Sequence, residues 1–183
     1  MSQTIADSVR NWALSRPQTA TTWLLVAVGF AVFLGALDQT VVVTLLEPIL
    51  EGVNVPLDQF YRAAWIINGY ILGYVVAMPL MGRVADVYGH SRIFLLALGI
   101  FLVASLWVSA CQRLEMLIVA RAAQALGAGA LVPISMAIVA RHVAPERRAL
   151  SFGLLGAAAE GGGLLGPLWG GSWVELLGWR GHF

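Results

Sequence analysis

Long apolar runs separated by short polar breaks set the pattern of this chain. Five such runs stand out, at 23–46, 60–81, 93–110, 114–140 and 149–171. As helices, each suits a hydrocarbon core roughly 30 Å thick. Backbone groups in lipid must be satisfied within their own segment, so spanning helices are expected rather than open strands. Glu47, Pro48, Glu51, Gly52 and Asn54 make an acidic loop after the first run. Gly82 to Arg92 reads as a polar turn, Cys111-Gln112-Arg113 as a tight turn and Arg141 to Arg148 as a basic loop. Residues 1–22 form a polar tail in which Ile5, Val9 and Trp12 fall at helical spacing, giving a short interfacial helix or a loose tail. Residues 172–183 read as an outer loop leading towards a sixth span. The predicted fold class is all-α: a polytopic membrane helix bundle.

Composition supports lipid as the solvent. The chain is 59% hydrophobic and 11% charged, with a mean hydropathy of +0.80. A soluble domain carries about 25% charged residues. A net charge of +1 gives no case for a nucleic-acid partner. The single Cys111 excludes an internal disulfide and offers no metal set, so no cofactor is expected. There is no nucleophile–base pair, metal cluster or phosphate loop, and the chain does not read as an enzyme. The first twenty residues lack an apolar core followed by a small-residue cleavage site, so the first span is expected to act as an uncleaved anchor. All eleven cationic residues are arginine. With the N-terminus inside, Arg10, Arg16, Arg83, Arg92, Arg141, Arg147 and Arg148 are cytoplasmic, and Arg62, Arg113 and Arg180 are outside. That asymmetry obeys the positive-inside rule. The expected location is a bacterial cell membrane, multi-pass, with a cytoplasmic N-terminus.

The fifth run holds an unusual combination. Gly162, Gly166 and Gly170 recur every fourth residue and share one helix flank, which a second helix can approach closely. Pro167 removes a backbone donor in the same turn and should kink the rod. Glu160 lies just upstream, among alanines and glycines. Such a segment suits a helix that moves against a neighbour or lines a wet cavity, as in a transporter.

Three ionisable residues fall inside the runs: Asp38, Arg121 and Glu160. Each is unfavourable by roughly 2.5–3.5 kcal/mol or more at a helix centre, so partners or water must accompany it. At 1.5 Å per residue, Asp38 lies about 12 Å and Arg121 about 10 Å from the outer ends of their spans. They share a depth, and an ion pair or a water-bridged contact is expected; whether it is a helix-to-helix staple or a coupling element stays open. Gln124 shares the face of Arg121 one turn on. Glu160 reaches the midplane and suits proton uptake or attraction of a lipophilic cation. Asn68 and Tyr70 read as packing and hydrogen-bonding residues. His90, His142 and His182 read as solvated loop residues. Trp23, Trp169, Trp173 and Trp179 read as interfacial anchors.

Four stretches together resemble the N-terminal half of a Major Facilitator Superfamily transporter, nearest to its fourteen-span drug:proton antiporter branch. Leu37 to Ile49 (LDQTVVVTLLEPI) resembles the first-span signature, with Asp38 and Thr40 in place and Glu47 where the family has proline. Gly82 to Phe94 (GRVADVYGHSRIF) resembles the loop between spans two and three, matching at Gly82, Asp86, Gly89 and Arg92. Val87 and His90 replace its usual basic residues. Arg121 to Ala130 (RAAQALGAGA) resembles the fourth-span signature, with Ala125 for a glycine. Gly153, Gly162, Gly166-Pro167 and Gly170-Gly171 match the fifth-span antiporter motif.

The resemblance implies an incomplete N-terminal half of a major facilitator fold, in which substrate binds between two six-helix halves built from inverted repeats. It implies proton-coupled efflux of lipophilic or cationic small molecules. Asp38, Arg121, Gln124 and Glu160 would serve proton and substrate. Gly82, Asp86, Gly89, Arg92, Gly162, Gly166, Pro167, Gly170 and Gly171 would serve gating. The partners implied are the bilayer, a small-molecule substrate, protons, and a C-terminal half or another chain needed for transport. The sixth span is expected just after Phe183, so the sequence reads as a fragment. The alternative is a non-transporting remnant or small assembly module associating through its glycine flank.

Overall fold

The computed structural model describes residues 18–53 and 60–183. Helix α1 spans Gln18–Gly52, α2 Phe60–Tyr88, α3 His90–Ala110, α4 Leu114–His142 and α5 Pro145–Leu177; a 3₁₀ turn follows at Trp179–His182. All five helices are long and apolar enough to cross a membrane, and the described residues contain no strand. The interfacial helix considered for the tail lies outside the described residues.

The helices overrun the apolar stretches that announced them. α1 continues through Glu47, Pro48 and Glu51, so most of the expected acidic loop is helical. α2 continues to Tyr88 and α3 begins at His90, which leaves Gly89 alone as the connection where a longer polar turn was expected. The basic loop shrinks to Val143 and Ala144, and α5 begins at Pro145 and runs to Leu177 rather than ending near Gly171. Hydropathy marks where side chains meet hydrocarbon. Backbone hydrogen bonding continues into the interface until a residue stops it, because a charge there is easily solvated.

Gly89 stops α2 sharply. Its backbone sits at φ 96°, ψ 130°, a region that side chains avoid, while a Cβ placed there would touch nothing within 4 Å. Gly89→Ala is therefore expected to destabilise by about 1–3 kcal/mol through strain alone. Gly99→Ala, equally uncrowded but with ordinary helical dihedrals, should be neutral. Denaturation midpoints in detergent, compared for the two variants, check this.

Lipid offers no hydrophobic drive between helices, so close backbone approach at small residues has to hold the bundle. α4 is the most enclosed helix and packs against α1, α2 and α3. A Cβ on Gly127 would stand 2.6 Å from the Ala97 carbonyl oxygen on α3, and one on Gly129 would stand 2.5 Å from that of Tyr74 on α2. From the other side, a Cβ on Gly73 of α2 would lie 2.9 Å from the Ala122 carbonyl oxygen on α4. The glycine ladder of α5 packs on α1 in the same manner. Gly162 abuts the Phe33 carbonyl, Gly166 fits between the Leu37 carbonyl and the Thr40 hydroxyl, and Gly170 faces Val41. α5 therefore pairs with α1 as α2 pairs with α4. Pro167 lies inside an unbroken α5.

The outer ends are stitched by side chains. Arg62 on α2 donates to Glu115 on α4 at 2.7 Å, and Arg180 Nη2 donates to the Cys111 carbonyl at 3.2 Å. Trp179, expected at the membrane interface, is instead buried against Gly52, because the 3₁₀ turn folds it over the end of α1. Trp23 and Trp169 are exposed; the side chain of Trp173 lies outside the described residues.

Two histidines also depart from the solvated reading. His90 is buried, with Nε2 3.3 Å from Asp86 one turn back, and half-buried His142 sets Nδ1 2.9 Å from the Ile138 carbonyl oxygen. Both lie in helices rather than loops. The side chain of His182 lies outside the described residues.

Cys111 is buried in the outer turn, and burial pushes its thiol above the usual range, only partly offset by Arg180. Less thiolate at neutral pH and poor access both slow alkylation. Maleimide labelling of Cys111 is thus expected to lag well behind that of a Gln112→Cys, Cys111→Ser variant, whose thiol takes an exposed position.

Candidate functional site

Three helices converge on a buried polar cluster, placed towards the start of α4 and the end of α3. α1 supplies Asp38, α4 supplies Arg121 and Gln124 one turn apart, and α3 supplies Ser105. Arg121 Nη1 donates to both carboxylate oxygens of Asp38, at 2.9 and 3.1 Å, and to Gln124 Oε1 at 2.6 Å. Gln124 Nε2 donates to Asp38 Oδ1 at 2.9 Å and to Ser105 Oγ at 2.7 Å. Ser105 Oγ in turn donates to the Phe101 carbonyl oxygen at 2.9 Å. Arg121 and Gln124 are almost wholly shielded, and Asp38 is 7% exposed.

Aromatic faces close the cluster. The Tyr70 ring lies 4.2 Å from the Arg121 guanidinium carbon and the Phe183 ring 5.5 Å from it. Tyr70 stacks in turn on Tyr74, with ring centroids 6.2 Å apart. A guanidinium tolerates this burial better than an ammonium, because it is weakly hydrated and stacks on π faces.

The pair is neutral as a unit, and each charge is held there by the other. Removing one partner from a buried pair is typically unfavourable by 3–5 kcal/mol, because the survivor stays desolvated. Asp38 is the one buried acid among the described residues. Any proton that binds inside this bundle through a carboxylate must therefore compete with Arg121 and Gln124 for it.

The other expected site residues lie elsewhere. Glu160 is exposed on α5 and takes no part in the cluster. Gly162, Gly166 and Gly170 sit in the α1–α5 seam, while Pro167 is exposed and Gly171 lies at the seam's edge. Gly82 lies within α2; Asp86 and Arg92 are exposed on either side of the Gly89 break.

Ser105 and Tyr70 are members of the cluster that sequence reasoning passed over or read as packing. Two hydroxyls in the apolar third run, Ser105 and Ser109, were the available signal for the first, and nothing in the sequence chose between them. For Tyr70, position alone could not tell a ring that shields a guanidinium from one that faces lipid.

The described bundle of five membrane-length helices, closed by glycine seams around one buried ion pair, defines a polytopic membrane protein rather than a water-facing enzyme. The family model described as Major Facilitator Superfamily matches residues 28–183. The chain belongs to that superfamily, and it is a multi-pass protein of a bacterial membrane. It is 40% identical over 159 residues to a probable triacylglyceride transporter of Mycobacterium bovis, covering 85% of this chain and 31% of that protein. It is 37% identical over 158 residues to a triacylglyceride transporter of Mycolicibacterium hassiacum, covering 86% of this chain and 30% of that protein. In fold it matches a crystal structure of a bacterial homologue of the human lysosomal transporter Spinster, inward-facing and unoccupied, with a TM-score of 0.75. That match has 21% identity and covers 85% of this chain and 32% of that one. The chain thus spans about a third of the length of the relatives it matches.

Proposed function

We propose that this chain is the N-terminal part of a proton-coupled exporter of lipophilic small molecules, and that Asp38 is its proton-binding group. The buried Asp38–Arg121–Gln124 cluster is the observation that carries the reading. Protonating Asp38 removes the charge that Arg121 neutralises and weakens two charge-assisted hydrogen bonds. α1 is then less tightly held to α4 and free to shift with α5, to which the glycine seam binds it. Gly89 and its flanking Asp86 and Arg92 would serve the cytoplasmic gate, and the exposed Glu160 is a second candidate for proton or substrate contact.

Names of relatives support a lipid-like substrate over a cationic drug, since several are named triacylglyceride transporters. The bundle itself offers an apolar groove of about 560 Å³ between α1 and α5, bordered by Phe33, Leu37, Leu165 and Trp169. The test is export by the full-length protein in proteoliposomes under an imposed pH gradient, with fluorescent acylglycerol and cationic dye compared as substrates. Gradient-dependent movement of the acylglycerol supports the reading; movement indifferent to the gradient overturns the coupling.

A further inference from the structure

Past α5 the chain turns back over the outer end of the bundle. Gly178 makes the turn at φ 66°, ψ 173°, where a Cβ would meet nothing within 4 Å, so glycine is kept there for its backbone and not for space. The 3₁₀ turn Trp179–His182 and Phe183 follow. Among the described residues three anchors hold this segment, each on a different part of the bundle. Trp179, 6% exposed, belongs to the outer apolar cluster that includes Ile49, Leu50 and Leu114, and its indole nitrogen stands where a Cβ of Gly52 would go. Arg180 lies over the Trp179 ring, 4.5 Å from its centroid, and donates to the Cys111 carbonyl between α3 and α4. Phe183 packs against the same cluster and brings its ring centroid to 5.5 Å from the Arg121 guanidinium carbon.

The third anchor bears on the ion pair. Arg121 lies about seven residues from the outer end of α4, roughly 10 Å at 1.5 Å per residue. Among the described residues two rings cover its guanidinium: Tyr70 belongs to α2 and stays with the bundle, while Phe183 arrives on the segment after α5. Moving that segment uncovers the guanidinium and leaves its hydrogen bonds to Asp38 in place. The anchors are two rings and one side-chain hydrogen bond, not the backbone-against-backbone contact that fixes the α1–α5 seam. An unseated Trp179 would enter the membrane interface, where an indole is well accommodated, so release is inexpensive.

We propose that residues 178–183 form an outer lid over the Asp38–Arg121 pair, which lifts about Gly178 to open the pair to the outer face. The proposal rests on the transport reading but not on proton coupling.

Two experiments on the full-length protein test it. In the first, Gln112→Cys and Arg180→Cys are introduced with every other cysteine, Cys111 included, changed to serine. A short bismaleimide then ties the lid to the turn between α3 and α4 before reconstitution into proteoliposomes. Export is expected to be lost on cross-linking and kept by each single-cysteine variant given the same reagent. Export by the untreated protein tests the transport reading; export that survives cross-linking overturns the lid. The second experiment needs no transport. Maleimide labelling of Cys111, read by mass spectrometry, should quicken severalfold in Gly52→Val, whose side chain takes the place of the Trp179 indole. Gly99→Ala should leave the rate as it is. A thiol at the wholly buried Ser135 position (Ser135→Cys) should stay unreactive in the Gly52→Val background, which separates a lifted lid from a loosened bundle. An unchanged rate at Cys111, or an equal gain at both thiols, would overturn the assignment.

Discussion

Asp38→Asn in the full-length protein is expected to abolish export driven by a pH gradient while leaving downhill exchange of substrate measurable. The amide keeps the size of the carboxylate and can still accept from Arg121, but it cannot take up and release the proton. Arg121 then remains buried at 1% exposure with no compensating charge. Stability should fall by about 3–5 kcal/mol, the usual penalty for an orphaned buried charge. Arg121→Gln in the same background should restore part of it, since neither charge then survives; the coupling between two touching sites is typically 0.5–3 kcal/mol. Proteoliposome flux and detergent denaturation measure the two effects separately. Glu160→Gln, altering an exposed residue outside the cluster, should leave the stability unchanged. Gradient-driven export that persists unchanged in both the Asp38→Asn and Glu160→Gln variants would rule out the carboxylate route.

The second large effect is expected at the α1–α5 seam. A Cβ at Gly166 would stand 2.8 Å from the Leu37 carbonyl oxygen and 3.0 Å from the Val41 nitrogen, against backbone that cannot step aside. Gly166→Ala should destabilise by about 1–3 kcal/mol through overpacking. Gly166→Leu should separate the two helices outright. Gly156→Ala, where a Cβ would meet nothing within 4 Å, is the matched control and should be neutral or slightly stabilising. Thr40→Ala should rescue Gly166→Ala only in part, because removing the Thr40 hydroxyl leaves the Leu37 carbonyl in place. Thermal unfolding in detergent ranks the four variants.

Much of this arrangement is legible in the sequence. Five apolar runs announced five helices, since hydropathy reports directly on the lipid-embedded part of a span. Counting residues from the outer ends put Asp38 and Arg121 at one depth, and the structure brings them to hydrogen-bond distance. The fourfold spacing of Gly162, Gly166 and Gly170 signalled a close-approach flank, and the flank is occupied by α1.

Other features needed three dimensions. Helix ends were misplaced because hydropathy falls at the interface while the backbone ladder of α1 continues to Gly52. Trp179 and His90 were misread because tryptophan near a span end and histidine in a polar stretch have common exposed roles. Only the fold shows Trp179 turned over Gly52 and His90 opening α3 beneath Asp86. The places of Ser105 and Tyr70 beside Arg121 depend on the rotation of α2, α3 and α4 about their axes, which no one-dimensional pattern specifies.

Whether Asp38 exchanges its proton as substrate binds is open to direct observation. Adding a neutral diacylglycerol to the full-length protein in weakly buffered detergent, with a pH-sensitive dye, reports protons released or taken up. A pH change is expected with the unmodified protein and none with Asp38→Asn, because in a coupled exporter the binding of substrate and of the proton on Asp38 are linked. Diacylglycerol binding without any proton movement in the unmodified protein, across the pH range in which it binds, would contradict the coupling assigned to this cluster.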